Sequence, residues 1–129
     1  MANTLFDKAR QRFLEAQINW LTDTVKVLLV STTAYTVNAS THEFLSDISG
    51  SARIAGPVTL TGKSTAGGAA DGADVTFAAV TGGAIGSIVI YSDTGTEATS
   101  PLIAYLDTAT GLPITPNGGD IAPRYAQAA

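Results

Sequence analysis

The sequence predicts a mainly β protein, an antiparallel β-sandwich or barrel-like fold that follows an N-terminal α-helix. Apolar, β-branched segments recur at intervals of about ten residues in the second half of the chain, and Gly, Ser, Thr and Asp fill the intervals. Helical periodicity is concentrated near the start of the chain. An α+β arrangement is the alternative, but the short, regular spacing favours antiparallel pairing over β-α-β units.

The first predicted element is an amphipathic helix over residues 4–16. Thr4 can cap it, with Asp7 three residues later as the acidic half of a capping box. Apolar residues then recur near the 3.6-residue period of a helix. They are Phe6, Ala9, Phe13 and Ala16, with Leu5 and Leu14 as possible additions.

Five segments are predicted as strands. Residues 25–30, VKVLLV, are almost continuously apolar, which indicates burial on both faces of a sheet. The others are residues 52–65, interrupted at Gly56-Pro57, and residues 75–80, 84–91 and 101–108. A short helical turn is predicted over residues 41–48, capped by Ser40 or Thr41.

The length of 129 residues predicts one domain with one core. Residues 1–21 form the helix and its connection, residues 22–112 form the β-rich core, and residues 113–129 form a C-terminal arm rich in Pro and Gly. Three prolines exclude a central strand from this arm because proline cannot donate to a sheet. They are Pro113, Pro116 and Pro123.

Composition excludes several classes of function. Charged residues are 14% of the chain, against about 25% in an average domain. The few basic residues are scattered and the net charge is −4, so we expect no nucleic-acid partner. We expect no membrane span and no signal peptide, because apolar runs are short and the N-terminal segment is charged. The absence of cysteine excludes disulfides and thiolate chemistry.

One tripeptide raises the possibility of catalysis. Asp93-Thr94-Gly95 follows an apolar strand, as in small dimeric aspartic proteases, where two carboxyl groups share a proton. Ser92 stands where that family has an apolar residue, and the tripeptide is also typical of a turn. We therefore expect no enzyme, and keep a dimeric aspartic protease using Asp93 as a remote alternative.

Other chemical signals are weaker. The Gly62-Lys63-Ser64 segment lies in a strand context and misses the spacing of a phosphate-binding loop. His42 is the single histidine, and we expect it on the surface. The acids in the turns lack the spacing of a calcium loop. No metal site and no cofactor are predicted.

Several colinear segments together resemble a family of roughly 130-residue proteins encoded in the structural-gene regions of tailed bacteriophages. They are DKARQRFLEAQINWLTDTVKVLLV, YTVNASTHEFLSDI, DVTF and IVIYSDTGTEATSPLIAYLDTATGLPITPNGGDI, within residues 3–121. The resemblance implies a non-enzymatic virion component. It also implies a final strand carrying Trp after GGDI, where this chain has APRYAQAA. If that strand closes the sheet, its absence leaves an edge for a neighbouring subunit or for Pro123 to cover.

This resemblance leads us to expect a capsid decoration, or cement, protein. Such a protein is made in the host cytoplasm and binds the outer surface of the major capsid protein lattice as a trimer or dimer. A tail component, such as a fibre base or tail-tip protein, is the alternative. The residues expected at the interface are Phe6, Arg10, Phe13, Trp20, Tyr105 and Tyr125.

Overall fold

The computed structural model describes residues 4–67, 69–72, 76, 77, 80–106, 115, 118 and 119. These residues contain one α-helix and seven strands, with three short 3₁₀ turns between them. In chain order the elements are β1 (Thr4–Leu5), α1 (Asp7–Leu14), β2 (Val25–Val30), β3 (Arg53–Thr59), β4 (Ser64–Ala66), β5 (Ala69–Asp71), β6 (Ser87–Ser92) and β7 (Leu102–Leu106).

Five strands form one antiparallel sheet in the order β1-β7-β6-β2-β3, and β4 pairs with β5 in a separate two-stranded sheet. The predicted fold class is therefore confirmed: the protein is mainly β with an N-terminal helix. The strand predicted over residues 25–30 is β2, with the same bounds.

The other predicted strands differ from the structure in their bounds. Strand β6 begins three residues later than predicted. The predicted interruption at Gly56-Pro57 is wrong, because β3 continues through these residues and the segment 52–65 divides into β3 and β4 at residues 60–63. Of residues 75–80, only 76, 77 and 80 are described, and none of these three lies in a named strand. Residues 107 and 108 at the end of the last predicted strand lie outside the described residues, as does most of the C-terminal arm.

The predicted helix start is wrong. Thr4 and Leu5 pair with Tyr105 and Ala104 as strand β1, and Phe6 occupies the N-cap position of α1 with no side-chain cap. Sheet pairing outweighs the local capping signal here, because it satisfies the backbone while Phe6 becomes fully buried. The Asp7 carboxylate pairs with Arg10 in place of the predicted capping contact.

The predicted turn over residues 41–48 is also shorter than expected. A 3₁₀ turn covers Leu45–Asp47, and no side chain of Ser40 or Thr41 caps it. Asp47, the last residue of the turn, caps it instead, because its carboxylate accepts hydrogen bonds from the N–H groups of Glu43 and Phe44.

The core lies on both faces of strands β2, β6 and β7. Every residue of β6 and β7 is buried, as the apolar composition of these segments requires. On one face, Leu28, Val89 and Tyr105 are neighbours across the three strands. The Tyr35 ring, whose centroid lies 6.4 Å from that of Tyr105, brings the segment after β2 over this face.

The outer edge of β7 is covered by the chain itself. The Phe6 N–H donates to the Ile103 carbonyl oxygen at 3.0 Å, and the Leu102 N–H donates to the Glu43 carbonyl oxygen at 2.8 Å. The Leu45 N–H donates to the Ser100 carbonyl oxygen at 2.9 Å. Two distant segments thus occupy an edge that otherwise presents unpaired backbone groups.

Gly56 marks the most crowded backbone position of β3. Its φ of +98° favours glycine, and a Cβ placed there lies 2.9 Å from a Phe77 ring carbon and 2.9 Å from the Val27 carbonyl oxygen. The pairing of β2 with β3 shifts register between Val27 and Leu29, beside this contact. The close approach of Phe77 to the sheet therefore requires a residue without a side chain.

We predict that Gly56→Ala lowers the free energy of unfolding by about 2–4 kcal/mol, because it combines an unfavourable φ with a clash against backbone. Urea unfolding measures the change. Gly95→Ala is the matched control, since Gly95 has a φ of +89° with open space around its Cβ position. An equal loss for both variants contradicts the packing explanation.

Candidate functional site

A polar cleft of about 330 Å³ lies where α1 ends, beside the start of β2 and the end of β6. The cleft is therefore built by the N-terminal helix, the turn before β2 and the connection from β6 to β7. Its lining residues are Arg12, Gln17, Asp23, Thr24, Ser92, Asp93, Thr94, Thr99 and Pro101.

Asp93 is held on several sides at this cleft. Its Oδ2 lies 2.9 Å from Lys26 Nζ, and its Oδ1 accepts a hydrogen bond from the Gly95 N–H at 2.9 Å. Its own N–H donates to the Thr24 carbonyl oxygen at 2.8 Å. Asp93 therefore connects the end of β6 to the start of β2 and closes the turn that follows it.

These contacts keep the Asp93 carboxyl ionised. The hydrogen bond from Lys26, and after it the Gly95 N–H, holds the pKa of Asp93 below its ordinary value. An aspartic protease dyad instead needs two carboxyl groups within about 3 Å that share one proton. The observed geometry favours the turn interpretation of Asp93-Thr94-Gly95.

Arg12 forms the opposite wall of the cleft. Its guanidinium pairs with the Glu43 carboxylate and donates to the Gln17 side-chain oxygen at 3.1 Å. The Arg12 Cζ also lies 5.1 Å from the centroid of the Phe44 ring, within the range of a cation–π contact. Arg12 thus joins the end of α1 to the segment that covers β7.

The remaining predicted chemical residues have structural partners. His42 Nδ1 lies 2.7 Å from the buried Tyr35 hydroxyl and accepts from the Asn38 N–H at 3.3 Å, so it closes a local loop. Lys63 donates to the Asp23 carbonyl oxygen. No group of three or more potential metal ligands occurs among the described residues.

The residues predicted at an interface divide into buried and accessible sets. Phe6, Trp20 and Tyr105 are at most 7% exposed and belong to the core, because they fill the space around the sheet. Arg10 is exposed and Phe13 is partly buried. Tyr125 lies outside the described residues. Arg10 and Phe13 are thus the members of this set, within the described chain, that are accessible to solvent.

Two accessible leucines were not predicted as interface residues. Leu14, at the end of α1, is 89% exposed, and Leu21, in the turn before β2, is 52% exposed. The prediction of Leu14 as a possible member of the buried helix face is wrong, because five residues of helix place it about 140° around the axis from the buried Ala9. The same periodicity that predicts the helix therefore places Leu14 away from the core.

The fold and its surface define a small, mainly β domain whose described polar groups serve chiefly as structural links. No protein-family model matches the chain, and no curated protein matches it in sequence. Among the described residues, no helix has the length and apolarity needed to cross a membrane.

We predict that Asp93→Asn lowers the free energy of unfolding by about 0.5–1 kcal/mol near neutral pH, because the ion pair with Lys26 is lost. The low pKa of Asp93 stabilises the fold above the ordinary value of 3.8, and this contribution is lost as the pH falls through the pKa in the folded state. The difference between the two proteins should therefore vanish in acid, as measured by urea unfolding at several pH values.

The control for this experiment is Glu15→Gln, which changes an exposed carboxylate contacted by the Gln11 side chain. It should leave the free energy of unfolding nearly unchanged. A loss for Asp93→Asn that persists at low pH contradicts the assignment to the carboxylate charge.

Proposed function

We propose that this protein is a non-enzymatic structural component of a tailed-bacteriophage virion, a capsid decoration protein that binds the outer major-capsid lattice and stabilises the head. The observation that carries the proposal is the exposure of Leu14 and Leu21 on a domain with few charged residues. The colinear segments that resemble phage structural proteins support the same class of function.

The ion pairs of the chain limit what its surface can attract. Among the residues that the structure describes, four cationic side chains pair with carboxylates of the same chain, and Lys63 binds a backbone carbonyl. A surface on which most of the described cations are paired, on a chain with a net charge of −4, attracts a polyanion little at long range. Association then depends on shape and apolar contact. The four pairs are Arg10–Asp7, Arg12–Glu43, Lys26–Asp93 and Arg53–Glu97.

Leu14 and Leu21 both precede β2 in the chain, and both supply apolar contact area. Burying a leucine side chain stabilises a complex by about 1.5–3 kcal/mol. One such contact is weak, but many copies on a lattice each stabilise the assembled state because they bind it in preference to the dissociated subunits. This is the thermodynamic requirement of a cement protein.

The edges of the sheet suit a protein held at high local concentration. The edge strands are β1, which has two residues and covers β7, and β3, which contains Pro57 and pairs with β2 through two shifts of register. Interrupted and covered edges oppose edge-to-edge pairing between neighbours. Crowded copies can therefore contact one another through side chains without forming a continuous sheet.

We predict that purified phage heads carry hundreds of copies of this protein, measured by quantitative mass spectrometry of separated heads and tails. Particles lacking it should release DNA at a lower temperature and in lower salt than complete particles. Heads without the protein, with a few copies found on tails, contradict decoration and support the alternative of a tail component.

We predict that Leu14→Glu lowers the occupancy of heads about tenfold at limiting protein, because it replaces buried apolar contact with a charge. Thr81→Glu is the matched control. Thr81 is exposed beside Gly82, which lies near Ile54 and the far end of β2, away from the end of α1. Equal binding by both variants in a pelleting assay with stripped heads excludes Leu14 from the interface.

A further inference from the structure

The N-terminal segment is joined to the rest of the domain through a strained helix end. The Gln17 N–H donates to the Arg12 carbonyl oxygen at 2.8 Å, and the Ala16 N–H donates to the Phe13 carbonyl oxygen at 3.2 Å. This is the Schellman pattern of a helix C-terminus, and its left-handed position normally holds glycine. Here that position is Ala16, with a φ of +59°.

The segment before this helix end, residues 4–14, is called the arm below. It is anchored to the rest of the domain by noncovalent contacts. Strand β1 pairs with β7, Phe6 and Ala9 are fully buried, and the Asp7 N–H donates to the Ala39 carbonyl oxygen at 2.8 Å. Arg12 adds its pair with Glu43. None of these contacts depends on which copy of the chain supplies the arm.

We propose that the arm is exchanged between two copies of this chain, so that the outer edge of β7 in each copy binds the arm of the other. Residues 15–17 are the hinge. They are exposed, whereas Ile18 and Trp20 just beyond them are buried and remain with their own domain. The occupant of the groove is a second copy, because the register of Thr4 with Tyr105 and Leu5 with Ala104 is specific to this segment.

In the closed form the arm packs on its own domain, and Ala16 is held in the left-handed conformation. Exchange removes the conformational cost of that residue. A left-handed alanine costs about 1 kcal/mol or more relative to glycine, and an extended hinge releases it. The contacts of the arm with β7, Ala39 and Glu43 are formed again in the partner copy, whereas the hydrogen bonds from the hinge to the Phe13 and Arg12 carbonyl oxygens are exchanged for bonds to water. The balance between the two forms therefore depends on the hinge and on the protein concentration.

The exposed Leu14 fits the same arrangement. Extending the backbone from Leu14 to Ile18 spans at most about 14 Å, so the two domains must meet close to their hinges. Leu14 is 89% exposed in the closed chain and lies at this meeting point. In the exchanged dimer Leu14 therefore lies beside the junction of the two domains.

The absence of cysteine allows a direct test. In Leu5→Cys/Ala104→Cys, the two substituted residues are partners in the β1–β7 register, so the disulfide reports which chain supplies the arm. The protein is refolded at micromolar and at millimolar concentration, oxidised, and analysed on a nonreducing gel. Leu5→Cys alone and Ala104→Cys alone measure random crosslinking.

We expect mostly monomeric, internally bridged chains at low concentration and covalent dimers at high concentration. Intact mass should show two disulfides in each dimer, in excess of both single-cysteine controls. Dimers in which every disulfide lies within one chain, or monomers at all concentrations, overturn the proposal.

Hinge variants test the proposal without altering the groove. Ala16→Gly removes the left-handed strain of the closed form and so should weaken the dimer. The effect is about fivefold for each hinge, and because the dimer has two hinges its dissociation constant should rise about 25-fold. Ala16→Val should strengthen the dimer, since a β-branched residue disfavours positive φ. Size-exclusion chromatography with light scattering measures both, and a dimer that is insensitive to residue 16 overturns the proposal. The test uses the isolated protein, so its outcome is independent of head binding.

Discussion

Strand β7 is the element on which the rest of the structure depends. All five of its residues are buried, and its inner edge pairs with β6. Buried backbone groups need partners, so the outer edge of β7 also has to be filled. The chain fills it with β1, the Phe6 N–H and the Glu43 carbonyl oxygen. The positions of α1 and of the Arg12–Glu43 ion pair follow from that requirement.

This dependence explains how much of the fold could be predicted from the sequence. Strands β2, β6 and β7 are mostly apolar, with β-branched or aromatic residues in each, so local composition is enough to predict them. Strand β1 has two residues and no period of its own. Its partner strand, β7, lies about 100 residues later in the chain. The sequence around Thr4 contains only the local capping signal, so it predicts a helix start there and not a strand.

The candidate site also combines features that local composition predicts with features that depend on the pairing of distant segments. A turn at Asp93-Thr94-Gly95 was among the interpretations that composition allowed, whereas the pairing of Asp93 with Lys26 arises from the alignment of β6 beside β2. Phe6, Trp20 and Tyr105 are among the residues expected at an interface, but large apolar rings also fill a core, and all three are buried. Burial could be assigned only once the sheet order was known.

The low charge of the chain acquires a specific meaning from these contacts. Arg12–Glu43, Lys26–Asp93 and Arg53–Glu97 each join segments that are distant in sequence, so the few charged groups are used to hold the domain together. Apolar surface is then the contact area that the domain offers to another molecule, and Leu14, the more exposed of its two accessible leucines, directly precedes the proposed hinge. Covering Leu14 with a partner and opening the hinge therefore act on the same few residues. Under the proposed exchange of the arm, a partner that binds Leu14 more tightly in one hinge conformation shifts the equilibrium between monomer and exchanged dimer toward that conformation, because binding favours the state with the higher affinity.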